Sequence, residues 1–297
     1  MSSAGNEGLT LVTGASGHIG TEVCRVLRTA ESKILAVDVD ADKTQGIVAC
    51  DLRLKNHVSR LFHNSPIRAV IHLAGILPSA FHSDPLAGAE VNLNGSFELM
   101  RHAVSARVKR FAFASSMSVY GSSPTGRPLT ENDPAAPDEP YGASKRAAEL
   151  IGEALADAHA IEFVSLRSAR VIGPGIKKTS SPWRSQIFEP RSGLDAVRIP
   201  FAPGAMLSLV HVREVARMLV ILAKAVEIGS SVYNTPVEIW EARHLKEVVE
   251  EVRRIRVELG QDEANGGPTC DGRLFVQEFG FQLRSVRDYL SNCTGSM

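Results

Sequence analysis

From Leu9 to Leu166, short apolar runs alternate with longer stretches in which apolar residues recur every third or fourth position, and each change of period marks a new element. The runs Leu9–Val12, Lys33–Val37, Gly46–Cys50, Arg68–Leu73, Val108–Ala114 and Ile161–Leu166 read as strands, continuous in hydrophobicity as strands buried on both faces are. Between them, Ile19, Val23, Val26 and Leu27 sit at helical spacing, and Leu54–His63 reads as a helix. Pro85–Arg107 carries Ala89, Val91, Leu93, Phe97, Met100, Ala103 and Val104 on one helical face. A further helix opens at Tyr141 and buries Ala143, Ala147, Ala148, Leu150, Ile151 and Leu155. This alternation predicts the α/β class: a doubly wound parallel sheet with helices on both faces, over residues 8–170.

The pattern changes beyond Val171. Gly173–Gly204 holds five prolines and no sustained period, which points to a small C-terminal α/β substrate lobe over 171–297. Within it, Leu207–Val212 reads as a strand, Glu214–Ala225 as a helix, Ser231–Tyr233 as a short strand, Ala242–Leu259 as an amphipathic helix and Leu283–Leu290 as a closing helix. Segments about 207–235 are expected to return to the first domain.

Composition narrows the class of function. The chain has 297 residues, 44% apolar and 22% charged, with 33 basic and 33 acidic side chains. That balance supplies no overall field for nucleic acid or an anionic membrane, so an anionic ligand must be bound locally. No run is long enough to cross a membrane, and MSSAGNEG lacks the basic and apolar regions of a secretory signal, so a cytoplasmic enzyme is expected. Cys24, Cys50, Cys270 and Cys293 are far apart without a C-x-x-C pair, and the histidines lack ligand spacing; no metal is implied.

The first candidate chemistry is the stretch Leu9–Gly20, LTLVTGASGHIG. A buried strand runs into Gly14, Ser16 and Gly17, and then into His18, Ile19 and Gly20 at the start of a helix, whose unpaired N–H groups can hold a pyrophosphate. The spacing is G-x-x-G-x-x-G rather than G-x-G-x-x-G, so it needs support from elsewhere. Asp38, 18 residues beyond Gly20 at the end of the second strand, is suited to the adenosine ribose hydroxyls and repels a 2′-phosphate, which favours NAD over NADP. Asp51 and Leu52 end the third strand, where the acid could meet the adenine, and Leu73, Ala74 and Gly75 let a dinucleotide lie across the fourth.

The fifth strand runs into a cluster of hydroxyls, with Ser116 the chosen substrate-binding serine and Ser115 the alternate. Tyr141 and Lys145 lie one helical turn apart, so the ammonium can favour the phenolate and fit the tyrosine for acid or base work. A Y-x-x-x-K alone is common by chance; here it follows a glycine fingerprint, a ribose acid and a serine-bearing strand end in the order the chemistry needs.

At this point the chain resembles the extended short-chain dehydrogenase/reductases, specifically the NAD-dependent epimerase/dehydratase family, through TGASGHIG, VDVD, CDL, HLAG, VNLNGS, SSMSVYG, YGASK, LRSARVIGPG and HVREVA. The resemblance implies a Rossmann-type domain binding NAD, a catalytic group of Ser116, Tyr141 and Lys145, Asn92 near the cofactor, and Lys145 bonded to the nicotinamide ribose. It also implies a homodimer through Pro85–Arg107 and the helix from Tyr141 to His159. Two departures bear on substrate. Met117-Ser118 stands where 4,6-dehydratases carry Asp-Glu, which disfavours elimination of water, and Arg170 replaces the Asn that holds the phosphate of nucleotide sugars. Arg170 could grip phosphate or a sugar carboxylate; Arg184 and Arg191 are further candidates for an anionic substrate group.

The leading expectation is an NAD-dependent oxidoreductase interconverting a secondary alcohol and a ketone on a sugar or sugar-acid-like substrate. The runner-up is a UDP-sugar epimerase that retains its NAD, and a third reading is a cofactor-binding regulatory protein on the same fold.

Overall fold

The computed structural model describes residues 8–63, 65–122, 126–176, 181–190, 195–261 and 266–292. In chain order it begins with β1 (Leu9–Thr13), α1 (His18–Thr29), β2 (Ile34–Asp38), β3 (Ile47–Ala49), α2 (Lys55–His63), β4 (Ile67–His72), α3 (Pro78–Ser83) and α4 (Pro85–Ala89). Next come α5 (Ser96–Ser105), β5 (Arg110–Ser116), α6 (Pro140–Ala158), β6 (Glu162–Ser168), β7 (Arg170–Ile172), α7 (Trp183–Gln186), β8 (Val197–Ile199) and β9 (Met206–His211). The chain closes with α8 (Val212–Lys224), β10 (Val232–Asn234), β11 (Glu238–Glu241), α9 (Ala242–Arg253), β12 (Val257–Leu259), α10 (Arg273–Phe279) and α11 (Val286–Ser291).

Two compact units result. The first draws on the chain through Gly121, on Ala135–Arg167 and on Ala216–Tyr233; the second on Ser122–Pro134, Ser168–Val215 and the chain from Asn234 onward.

In the first unit, seven strands among the described residues lie in the order β10-β6-β5-β4-β1-β2-β3. The pairs β1–β2, β1–β4, β2–β3 and β4–β5 are parallel. The order reverses between β1 and β4, the switch point where open α/β sheets take ligands at their carboxyl ends. Successive residues of a strand face opposite sides, yet Phe111, Ala112 and Phe113 are all buried, so β5 is covered on both faces as its unbroken apolar run predicts. On α1, Gly20, Val23, Cys24 and Leu27 form the buried stripe. Arg110 is one of several buried polar side chains in this unit. Its guanidinium pairs with Glu162 and donates to the carbonyls of Leu222 (3.0 Å) and Ala225 (2.6 Å), satisfying carbonyls at the end of α8.

The second unit has a three-stranded sheet, β11-β9-β7, with β9 antiparallel to β11 and parallel to β7, and a parallel pair, β8–β12. Its core gathers Trp183, Phe188, Leu207, Leu209, Trp240 and Leu245.

Local readings change: on α6, Ala143, Leu150 and Ile151, expected on the buried side, are exposed, because Gly142, Ser144, Lys145, Ala148 and Glu149 form the face turned to the sheet. The single helix expected over Pro85–Arg107 is interrupted by a π-helical segment at Glu90–Gly95, between α4 and α5. The helix expected to reach Leu259 stops at Arg253, because Arg254 turns left-handed (φ 56°) and Val257–Leu259 pairs with β8 instead. The proline-rich stretch, aperiodic in sequence, contains β8 and α7, too short to show a period. Among the described residues no helix is long and apolar enough to cross a membrane. Cys24, Cys50 and Cys270 are buried free thiols, with burial pushing Cys50 to about 11 and Cys270 to about 12; Cys293 lies outside the described residues.

Candidate active site

Close backbone approach shapes the glycine loop. Gly14 is left-handed (φ 69°), and a Cβ there would stand 2.7 Å from the Ala74 nitrogen and 2.8 Å from the Leu73 carbonyl carbon. A Cβ on Gly20 would stand 2.0 Å from the Gly14 oxygen. The loop therefore lies flush against the end of β4, with the first turn of α1 flush against the loop. Gly17, which has no side chain to cap with, opens α1, so the helix N-terminus at Ser16, His18 and Ile19 has the makings of an anion site. Asp38, at the end of β2, faces the same loop: one carboxylate oxygen accepts from the Ser16 N–H (3.0 Å), the other from the Asp40 N–H (3.2 Å).

Beneath the loop, the Thr13 hydroxyl accepts from the N–H groups of Leu73 (3.2 Å) and Ala74 (3.3 Å), which leaves its proton for His72 Nδ1 (2.7 Å). His72 Nε2 must then carry the ring proton and donate it to the Ser96 hydroxyl (2.8 Å). This chain ties β1, β4 and α5 together with a neutral imidazole. Burial, followed by the charge of Lys145, pulls His72 down to about 3. Between the ordinary 6.5 and that value the unfolded chain holds a proton that the folded one refuses, so stability contributed above pH 6.5 is lost as pH falls. Denaturant unfolding should show the wild type losing about 2 kcal/mol between pH 7 and pH 5 relative to His72→Gln. An unchanged gap between the two proteins would mean that the ring is charged in the fold.

Asp51, the expected adenine contact, is held by a neighbour. Arg53 grips its carboxylate through Nε (3.0 and 3.1 Å) and Nη2 (2.6 Å), and these bonds hold it below the usual carboxylate range. Its neighbour Leu52 is buried and packs on Gly95 of the π segment.

That segment carries Asn92. The buried amide accepts from the Ile76 N–H (2.7 Å) and donates to the Ile76 carbonyl (3.0 Å), while its Nδ2 also lies 3.5 Å from the Ser144 hydroxyl on α6. A Cβ on Gly75 would stand 3.1 Å from Asn92 Oδ1 and 3.7 Å from Lys145 Nζ. The small residue after β4 thus admits both polar groups to the strand end. π-Helical turns concentrate at functional sites, and here the turn delivers Asn92.

Tyr141 and Lys145 occupy the first turns of α6, and Ser116 ends β5, where its hydroxyl accepts from the Ser118 N–H (3.1 Å). Gly142 permits their approach: a Cβ there would fall 2.2 Å from the Ser118 oxygen, so the helix start rests on the turn that follows Ser116. Lys145 is buried, donates to the Ala114 carbonyl (2.8 Å), and lies 4.6 Å from the Phe113 ring centroid and 5.8 Å from that of Tyr141. Burial pulls its ammonium down to about 8, with the charge of Glu149 opposing the fall, so it stays largely protonated at neutral pH. Ser115, the alternate serine, is committed elsewhere: it is buried and donates to Glu149 Oε1 (2.5 Å).

Sequence reasoning passed over Gly142, Glu149 and the Thr13–His72 pair. Gly142 had a signal, a helix-breaking residue inside the first turn of an otherwise alanine-rich helix.

In the second unit, Arg170 stacks 4.6 Å from the Phe201 ring centroid and donates to the Gly266 carbonyl (3.1 Å). Burial, and then the charge of Arg184, lowers it to about 10, so the two expected anion-binding arginines are electrostatic neighbours. Arg191 lies outside the described residues. Glu214, of the HVRE segment, is wholly buried and accepts from the Tyr289 hydroxyl (2.5 Å).

Comparison with known proteins adds to this geometry. The model of the NAD dependent epimerase/dehydratase family matches residues 10–235. The UDP-glucose 4-epimerase of Lacticaseibacillus casei is 31% identical over 175 residues, 54% of this chain and 51% of the relative. The chain spans about half the length of the curated relatives it matches. Among solved structures, MoeE5 in complex with UDP-glucuronic acid and NAD has 28% identity and a TM-score of 0.82, covering 96% of this chain and 97% of MoeE5. The L-threonine dehydrogenase of Phytophthora infestans reaches a TM-score of 0.88 at 19% identity, covering 96% and 97%, a likeness of fold alone.

Proposed function

The chain belongs to the NAD-dependent epimerase/dehydratase family, and from that premise we propose that it binds NAD and epimerises a UDP-sugar through a transient ketone. Of the two enzyme readings left by the sequence, this reverses the order. The relatives matched include UDP-glucose 4-epimerases, and MoeE5 carries a UDP-sugar together with NAD, so retention of the cofactor is preferred to net dehydrogenation.

The observation that carries the reading is the anchoring of Lys145: a buried ammonium, fixed on the Ala114 carbonyl beside the Tyr141 ring, one strand residue from Ser115 and two from Ser116. Such a charge favours the Tyr141 phenolate, which takes the proton of a secondary alcohol. Ser116 holds the substrate oxygen, and Tyr141 returns the proton when the alcohol reforms. The loop fits a dinucleotide, since Cβ atoms at Gly14 and Gly20 would collide with backbone and a glycine opens α1 without a capping side chain. Gly14, Ser16, Gly17, His18, Ile19 and Gly20 would hold the pyrophosphate, Asp38 the adenosine ribose, and Asn92 and Lys145 the nicotinamide side. When bound, NAD supplies reversible acceptance of a hydride. Met117 and Ser118 offer neither acid nor base for eliminating water.

For the substrate we assign Arg170 and Arg184 to its anionic part, a diphosphate or a uronate carboxylate. We further infer a cytoplasmic homodimer through α4, α5 and α6, supported by exposed Leu86, Leu150 and Ile151.

Incubation with UDP-glucose and UDP-glucuronic acid, followed by product analysis and reduced-nicotinamide absorbance, tests the reading. The expected result is the 4-epimer without net NADH, from a preparation sedimenting as a two-copy assembly. Accumulating NADH would restore the dehydrogenase; NAD binding without turnover on any sugar would restore the regulatory reading; monomer sedimentation would remove the dimer.

A further inference from the structure

The first unit contains a charged network that enters the proposed chemistry only through the charge of Glu149 on Lys145. Glu149 lies one turn beyond Lys145 on α6 and is 0% exposed. Its Oε1 accepts from the Ser115 hydroxyl (2.5 Å) and Arg167 Nε (3.0 Å); its Oε2 accepts from Arg167 Nη2 (2.8 Å) and Arg146 Nη1 (3.0 Å). Arg167, itself buried on β6, also donates to the Tyr120 hydroxyl (2.8 Å) in the turn after β5.

Stability is a poor reason for such an arrangement. Taking a carboxylate and a guanidinium out of water costs several kcal/mol, and an apolar pair of similar volume is often as stable. What the network does have is a place. The last three residues of β5 are each engaged: the Ala114 carbonyl anchors Lys145, Ser115 is bonded to Glu149, and Ser116, the serine assigned to the substrate oxygen, accepts from the Ser118 N–H. Arg167 holds the far end of the following turn through Tyr120.

We propose that Glu149 is a positioning residue, which through Ser115 and Arg167 clamps the end of β5 and its following turn onto α6 and so sets Ser116 and the Ala114 carbonyl against Tyr141 and Lys145. The proposal rests on the reading of Ser116, Tyr141 and Lys145 as the catalytic group. Glu149 touches no substrate; it acts through the strand that does.

The test compares three variants of the full chain with bound NAD. Ser115→Ala removes the one bond from Glu149 to β5. Glu149→Leu/Arg167→Met replaces the buried ions with apolar groups, and Glu149→Gln/Arg167→Gln keeps an acceptor for Ser115 and a donor for Tyr120 without charge. Ser115→Ala and the Leu/Met pair should each lower kcat on the UDP-sugar tenfold or more, with KM and the NAD dissociation constant within about threefold of wild type. The Gln/Gln pair should recover most of that loss when assayed at a pH low enough to keep Lys145 protonated without the charge of Glu149. Combining Ser115→Ala with the Leu/Met pair should cost little more than either, because both cut one linkage. Wild-type kcat in Ser115→Ala, or fully additive losses, overturns the proposal.

Amide exchange at Ala114–Gly121 gives a second readout that needs no substrate. It should quicken in Ser115→Ala while β1 and β4 stay protected, and unchanged exchange there overturns the clamp. Turnover retained in Tyr141→Phe would instead refute the catalytic group, and the exchange result would still decide whether Glu149 holds the strand.

Discussion

Replacing Tyr141 with Phe should lower turnover by about 10²- to 10⁴-fold, the range supplied by a positioned acid or base, while NAD affinity changes less than about threefold. The phenyl ring stays, and with it the apolar contacts that keep Tyr141 buried at the start of α6. Lys145 remains fixed by the Ala114 carbonyl, not by the tyrosine hydroxyl, so its place at the strand end survives the change. What disappears is the hydroxyl proposed to exchange the substrate proton. Steady-state turnover alongside calorimetric NAD titration separates the two effects. An active Tyr141→Phe protein would remove the mechanism, whatever the substrate.

Replacing Gly20 with Ala should weaken NAD binding by at least tenfold and destabilise the fold by about 1–3 kcal/mol, the usual cost of overpacking. The added methyl would sit 2.0 Å from the Gly14 oxygen and 2.8 Å from the Ala15 Cα. Both are backbone atoms, so neither rotates away; the loop must move. The loop cannot retreat, since Gly14 already lies against Ala74. The helix start and the glycine turn therefore separate, and the N–H groups no longer converge on one anion. NAD titration and thermal unfolding measure the two effects, and wild-type affinity in Gly20→Ala would mean that the pyrophosphate is held elsewhere.

Local chemistry was legible because its determinants are close in sequence. A buried strand followed by three spaced glycines, and a Tyr and Lys one turn apart, carry their geometry with them. The parallel sheet was legible from the alternation of period. Less was readable where neighbours come from afar. Asn92 owes its contact with Ile76 to a π segment, and no single-residue preference marks where a helix widens by one residue. The grip of Arg53 on Asp51, two residues away, was not read either, because it depends on a short loop that lets the guanidinium fold back. The strand at Val257–Leu259 extended a helical pattern, since valine and leucine fit either period until β8 supplies a partner.

The two serines at the end of β5 divide most clearly what each level decides. By itself the sequence determined that hydroxyls end a buried parallel strand at the face where such sheets bind ligands, and that a Tyr–Lys pair opens the next helix. It chose Ser116 and kept Ser115 as the alternate. Adjacent strand residues point to opposite sides, but which side α6 covers depends on how the chain crosses the sheet. The tertiary structure turned Ser115 inward to Glu149 and left Ser116 at the turn beside Tyr141. It also made Glu149, which in sequence is one more acidic residue on an amphipathic helix, a wholly buried ion, because only packing against β5 and β6 removes that face of α6 from water.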